Sequence, residues 1–254
     1  IAQTGSTDGS GNLLTTEAGS TSTFTVVLDA KPTANVTVTL TGTDSTEHSL
    51  SSSSLTFTAA NWNTPQTVTV SGVDDTTLDG DIITTLTAIA SNTGGYAGET
   101  ATTTVITTDN ETAGITIAQT GTTDGSGNLL TTEAGSTSTF TVVLDAKPTA
   151  NVTVSITGTD STEHSLSASS LTFTTNNWNT AQTVTVTGVD DSLVDGDITT
   201  TLTATASNSG GYAGTETATT TLKTSDNDSY GLTITQTGTT DGSGNLLTTE
   251  AGST

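Results

Sequence analysis

Apolar and polar residues along this chain alternate with a period of two. Phe24, Val26 and Leu28 are interleaved with Thr23, Thr25 and Val27, and Val36, Val38 and Leu40 with Thr37, Thr39 and Thr41. Neighbouring side chains on a strand point to opposite faces, so each run reads as a half-buried antiparallel strand. Leu55 to Phe57, Gln66 to Gly72, Ile82 to Asn92 and Thr100 to Thr108 continue the pattern. With two opening segments, Ile1 to Thr4 and Leu13 to Glu17, they predict about seven strands. Turn formers punctuate them: Asp8-Gly9-Ser10-Gly11-Asn12 is a loop, Ala30-Lys31-Pro32 a hairpin turn, and Gly94-Gly95 a turn before the last strand. No stretch carries helical periodicity.

The same pattern is then written again. Residues 1–98 align with residues 117–214 with 14 differences, and Ile1, Trp62 and Tyr96 recur as Ile117, Trp178 and Tyr212. Thr215 is inserted before Glu216, and the segment from Tyr230 begins a third copy. A period of about 116 residues is the size of an independent domain rather than of a solenoid unit. The expected organisation is a first repeat over residues 1–112, clipped at its start, a second over 113–228, and the opening strands of a third over 229–254. The chain reads as a window cut from a longer array. Seven short strands per repeat predict an all-β fold of tandem immunoglobulin-like Greek-key β-sandwiches. Asp109-Asn110-Glu111-Thr112 runs straight toward the next first strand at Ile115, so the linkers are very short and a stiff rod is expected.

Charge narrows the function classes. Against 26 Asp and Glu stand only Lys31, Lys147 and Lys223, for a net charge of −23. Phosphate binding needs clustered Lys or Arg, so nucleic acid and anionic membrane surfaces are excluded as partners. The acids divide evenly between the two full repeats, and such self-repulsion disfavours a compact state unless counter-ions relieve it. The absence of Cys and Met suits an exposed extracellular protein that does without disulfides.

The acids also cluster. In the first repeat Asp74, Asp75, Asp79 and Asp81 fall in one loop, Asp109 and Glu111 close the repeat, and Glu17 ends the second opening segment. Glu133, Asp190, Asp191, Asp195, Asp197, Asp226 and Asp228 take the same roles in the second. Carboxylates packed this densely repel unless a hard cation sits among them, and Ca²⁺ accepts about six to eight oxygens. The competing reading makes them solvated loop residues that keep a Thr-rich protein soluble.

Three motifs, Glu-Ala-Gly-Ser-Thr-Ser-Thr-Phe-Thr-Val-Val-Leu from Glu17, Gln-Thr-Val-Thr-Val-Ser-Gly-Val-Asp-Asp from Gln66, and Thr-Asp-Asn-Glu-Thr-Ala-Gly from Thr108, resemble Calx-β domains. They are most similar to the tandem Calx-β-like repeats of large bacterial surface proteins. The resemblance implies that Glu17, the Asp74 to Asp81 loop, Asp109 and Glu111 converge at one end of the sandwich to bind Ca²⁺. Asn110 and Asn227 depart from the acidic triplet common at the domain end, which leaves one or two ions per site. On this reading the ion bridges one domain's loop and tail to the start of the next.

Other candidates are weaker. Asp8-x-Ser10-x-Asn12 has the spacing of a Ca²⁺ loop start without the distal Glu, and reads better as a turn. Asp44 with Glu47, and Asp160 with Glu163, either join the acid cluster or cap a loop. His48 and His164 have no second His or Cys nearby, which argues against Zn²⁺. Trp62 and Trp178 either cap the core or bind a sugar face. No nucleophile elbow or catalytic pairing is present, so the chain is not expected to be an enzyme. The expected function is a Ca²⁺-stiffened extracellular rod on a bacterial cell surface, as a filament or sheath subunit or an adhesin stalk. The alternative is an adhesive module for polysaccharide or ice. Its expected partners are neighbouring repeats, and other copies joined in a fibre by strand addition of the third-copy segment.

Overall fold

The structure, a computed structural model, describes residues 1–248. In the first repeat one sheet carries, in spatial order, β1 (Ala2–Gln3), β3 (Thr21–Val26), β7 (Gln66–Gly72) and β5 (His48–Leu50). The second sheet carries β2 (Leu13–Thr16), β10 (Thr100–Thr108), β9 (Ile82–Ala90), β4 (Val36–Thr41) and β6 (Ser54–Phe57). A two-residue strand, β8 (Thr77–Leu78), lies outside both. The fold is all-β, a Greek-key sandwich of immunoglobulin-like type. It has more strands than the pattern predicts: β5 and β8 are three and two residues long, too short to show a period.

Alternation builds the core as expected. Phe24 and Val26 on β3 and Val68 and Val70 on β7 meet Val36, Val38, Phe57, Leu86 and Val105 of the other sheet in one buried cluster. The Thr residues between them face outward or stay half-buried, while Thr15 and Thr107 are buried and share a hydrogen bond of 3.1 Å. Trp62 and Tyr96 pack on the edge of the cluster. One close approach locks the two sheets at one end: a Cβ on Gly72 would stand 2.0 Å from the Thr16 carbonyl oxygen, so only glycine lets β7 lie this close to β2.

The second repeat has the same two sheets. Strands β11 (Ile115–Gln119), β13 (Thr137–Leu144), β18 (Gln182–Gly188) and β16 (His164–Leu166) form one. Strands β12 (Leu129–Thr132), β22 (Thr217–Ser225), β19 (Ile198–Ala206), β15 (Val152–Thr157) and β17 (Ser170–Phe173) form the other. Two short pairings have no counterpart in the first repeat. One is a hairpin of β20 (Asn208–Ser209) with β21 (Tyr212–Ala213), and the other pairs β14 (Lys147–Pro148) in parallel with β8 of the first repeat. Leu78 of β8 packs against the second repeat's core cluster, and Lys147 N–H donates to the Thr76 carbonyl at 2.9 Å. The repeats are therefore joined by backbone pairing and an inserted aliphatic side chain as well as by the covalent linker.

Over residues 229–248 the chain makes a single bridge, Thr240 with Leu246, and no strand. Leu232 there is 90% exposed, whereas Ile115 at the same place in the second repeat is buried because β11 pairs with β13. The rest of the expected third-copy segment, residues 249–254, lies outside the described residues.

Gly72→Ala is expected to cost the first repeat about 2 kcal/mol or more, the range of a forced overpacking. Gly9→Ala, where a Cβ meets nothing within 4 Å, should change stability by less than about 0.5 kcal/mol. Urea unfolding of both variants checks the contrast.

Candidate metal centre

Strand register gathers the acids. β2 runs parallel to β10, with Thr16 opposite Thr108, so Glu17 emerges beside Asp109. β9 is antiparallel to β10, with Ile82 opposite Thr107, which brings the end of the Asp74 to Asp81 loop to the same edge. His48 on β5 pairs with Gly72 on β7, so Glu47 emerges beside the beginning of that loop. Two backbone bonds fix the ends: Glu17 N–H to Thr108 O at 3.1 Å, and Val73 N–H to Glu47 O at 2.8 Å. Four separate chain segments thus deliver carboxylates to one end of each sandwich.

Within that end two groups form around Glu17. Glu17, Glu47 and Asp79 place a carboxylate oxygen each within 4.8 Å of one another, as do Glu17, Asp109 and Glu111. The second repeat keeps the first group, Glu133 with Glu163 and Asp195, but its other group joins Glu133 with Asp191 and Asp228, Asp191 standing at the position of Asp75 rather than of Asp109. Glu17 and Glu133 are each 1% exposed, and Glu47 and Glu163 each 3%. One oxygen on each of Glu17, Glu47, Glu111, Glu133, Glu163 and Asp228 is buried and accepts no hydrogen bond. A buried carboxylate oxygen without a donor is costly, and two ionised carboxylates at such separations repel by roughly 3 kcal/mol even at an effective dielectric near 20. The donor set contains only oxygens, which suits a hard cation.

The remaining acids of the cluster orient it. Asp74 and Asp190 accept from the side-chain amides of Asn110 and Asn227 at 2.9 and 3.0 Å. These amides tie the loop to the domain end. Asp75 and Asp191 accept the N–H groups of Thr77 and Leu193 and so shape the loop, and Asp191 also belongs to a group of three. Asp109 accepts from Gly80 and Glu111 N–H, both at 2.7 Å, and Asp226 from Gly196 and Asp228 N–H at 2.7 and 2.6 Å. Asp81 accepts Asp109 N–H, and Asp197 pairs with Lys223 at 2.7 Å. Asp74, Asp75, Asp81, Asp190, Asp197 and Asp226 are therefore outside the groups of three, whereas Glu47 and Glu163 are inside them.

The acids in each group come from a single repeat. That differs from the expected bridge between domains: the junction is made by Leu78 and the Thr76 to Leu78 backbone, which sit in the same loop as Asp75 and Asp79.

Burial and crowding raise the proton affinity of the inner acids. Burial, then Asp79 and Glu17, pushes Glu47 up to about 7. Burial, then hydrogen bonding to Glu17 and Asp109, pushes Glu111 up to about 8. Glu17, Asp79 and Glu163 are raised chiefly by burial. Glu133 is held down by the Asn227 N–H, but burial and Asp226, Asp191 and Asp195 outweigh it, and the net direction is upward.

The neighbouring candidates resolve differently. Asp44 caps its loop, accepting Thr46 N–H and O–H at 3.1 and 2.6 Å, while Glu47 alone joins the cluster. Asp8 accepts Ser10 and Asn12 N–H and the Asn12 amide, which makes a turn and consumes its oxygens. His48 and His164 are buried, and burial holds both below the usual histidine range. Trp62 and Trp178 are half-buried against the cores.

A scan of protein-family models gives no match, and a search of curated proteins gives no relative. Among solved structures, the calcium binding domain CBD12 of CALX1.1 is 15% identical with a TM-score of 0.29, over 78% of each chain. The D00-D0 domain of intimin is 16% identical at a TM-score of 0.30, over 89% of this chain and 99% of that one. Protocadherin gammaB7 EC3-6 is 17% identical at 0.36, over 86% of this chain and 45% of that one. At such identities and scores none of these likenesses bears on function.

Unfolded glutamates lose their protons near 4.5, but Glu47 and Glu111 keep theirs in the folded protein until about 7 and about 8. Between those limits the folded state holds the extra protons, so metal-free stability falls as pH rises from about 4.5 to about 8. Thermal melts in EDTA across that range check the sign. Glu47→Gln should raise the metal-free melting temperature of the first repeat at pH 8.

Proposed function

We propose that this chain is a non-enzymatic extracellular repeat protein in which calcium, held at the acid end of each sandwich, stiffens a rod of head-to-tail domains. The observation that supports this best is the set of buried carboxylate oxygens without donors, grouped around Glu17 and Glu133. Glu17, Glu47, Asp79, Asp109 and Glu111 would hold the ion or ions in the first repeat, and Glu133, Glu163, Asp191, Asp195 and Asp228 in the second. Sharing of Glu17 between two groups leaves room for two ions. A bound cation supplies charge neutralisation, which the chain itself lacks with only three Lys.

Stiffness follows from what the loop does next. Asp75 and Asp79 flank Thr76, Thr77 and Leu78, and these three residues grip the second repeat. Calcium that fixes the acids fixes the loop, and the loop fixes the angle between sandwiches. A rod of this kind serves as the stalk of a surface adhesin or a subunit of a filament or sheath. Its lack of Arg and its three Lys leave few sites for trypsin-like proteases outside the cell.

Calcium at about 100 times its dissociation constant adds about 2.7 kcal/mol per site, which raises the melting temperature of a domain this size by roughly 10 °C. Differential scanning calorimetry with calcium chloride against EDTA measures it, and Glu17→Gln combined with Glu133→Gln should abolish the shift. No shift in the parent chain overturns the reading. Small-angle scattering of Leu78→Asp is expected to show a broader distribution of end-to-end distances, with the melting temperature of the first repeat unchanged.

A further inference from the structure

Position for position the two acid ends carry the same acids, with Asp228 in place of Glu111. They differ in one cation. In the first repeat Ile106 on β10 stands between Leu14 on β2 and Ile83 on β9, an aliphatic row across three strands. The same place on β22 is Lys223, between Leu130 on β12 and Thr199 on β19. From there its ammonium reaches Asp197, just ahead of β19, at 2.7 Å, and Asp124 shares in its field. Asp197 also accepts Asp226 N–H at 3.3 Å, and the Asp226 carboxylate accepts Asp228 N–H. The ion pair is thereby tied to the segment that supplies Asp228 to its group of three. In the first repeat Asp81 accepts Asp109 N–H in the same way but pairs with no cation among the described residues. Lys31, the one Lys of that repeat, follows β3 at the end away from Gly72.

We propose that Lys223 is a resident counter-ion that sets the calcium affinity of the second repeat below that of the first, so that the chain loads its two acid ends in order. The inference rests on the calcium reading and goes beyond it by ranking the sites. Both ends offer an ion the same central ligand: Glu17 and Glu133 are each 1% exposed, and each keeps one buried oxygen without a donor. What differs is the repulsion left to relieve. In the second repeat a fixed positive charge already offsets part of the crowding, and it repels an entering cation. In the first repeat that relief falls to the ion alone. The loop of the first acid end also carries the Thr76 to Leu78 grip on the second repeat. The grip is therefore fixed at calcium levels that leave the second acid end mostly empty, while Lys223 makes the second sandwich less dependent on calcium for its stability.

Isothermal titration of the metal-free full chain with calcium chloride at low ionic strength tests this. Two classes of site are expected, differing at least about threefold in affinity. Glu17→Gln should remove the tighter class and Glu133→Gln the weaker. Lys223→Gln, which keeps a polar side chain at a place about a third exposed, should tighten the weaker class at least about threefold. Ile106→Lys with Ile83→Thr, which copies the second repeat's row into the first, should weaken the tighter class by a similar factor. These reciprocal changes separate the charge from the other difference between the ends, Glu111 against Asp228. Lys31→Gln removes the same charge from the far end of the first sandwich and should change neither class. A purely structural role for Lys223 gives the opposite sign, since losing a stabilising ion pair loosens the site and weakens binding. Equal affinities in the parent chain, a tighter second repeat, or unchanged or weaker binding in Lys223→Gln each overturn the proposal and leave the calcium reading standing. No binding at either end overturns that reading, and this proposal with it.

Discussion

The parallel pairing of β2 with β10 is the constraint on which the acid end depends. An antiparallel partner would have sent Glu17 to the opposite end of the sandwich from Asp109. Run parallel, the two strands finish together, and Gly72 lets β7 close over Thr16 so that the loop after it folds across the same edge. A carboxylate that would be solvated on an open loop becomes 1% exposed at Glu17, with its neighbours' charges under 5 Å away. The fold holds its acids in an arrangement that protons or a cation must relieve.

The same end carries the grip on the next domain. Asp75 shapes the turn by accepting Thr77 N–H, and the turn presents Leu78 and the Thr76 carbonyl to the second repeat. Charge balance inside one sandwich and geometry between two sandwiches are thus set by one eight-residue stretch, Asp74 to Asp81. The register of a two-strand pairing and the Leu78 side chain packed on the second repeat's core set the contact between the repeats. In the second repeat Tyr212 is 1% exposed, lies in the short hairpin with Asn208–Ser209, and donates to the Gly114 carbonyl.

Much of this was legible in the chain. Period-two alternation at Phe24 to Leu28 and Val36 to Leu40 encodes strands because the inward residues must be apolar to be buried. The duplication from Ile117 encodes a second domain of the same kind. Most of the acid cluster was also legible, since Asp79, Asp109, Glu111 and Glu17 fall in segments whose motifs resemble one another in both repeats. Glu47 was harder: it sits next to a three-residue strand, and only the pairing of His48 with Gly72 shows that its side chain turns inward while Asp44 caps the loop. Asp81 and Asp197 looked equivalent to their neighbours, yet they are spent on Asp109 N–H and on Lys223.

Sequence by itself determined the fold class, the repeat and the sign and location of the charge, because burial period, duplication and composition are properties of the string. Tertiary structure alone decided which oxygens meet and which acids merely shape loops, since those depend on the register of strands far apart in the chain. It also decided that Leu78 packs on the second repeat, where a Cβ at Gly211 would stand 2.5 Å from its carbonyl oxygen. Leu78 is one aliphatic residue among acids and Gly211 one glycine in a turn. Their roles exist only where two repeats bring them within contact distance.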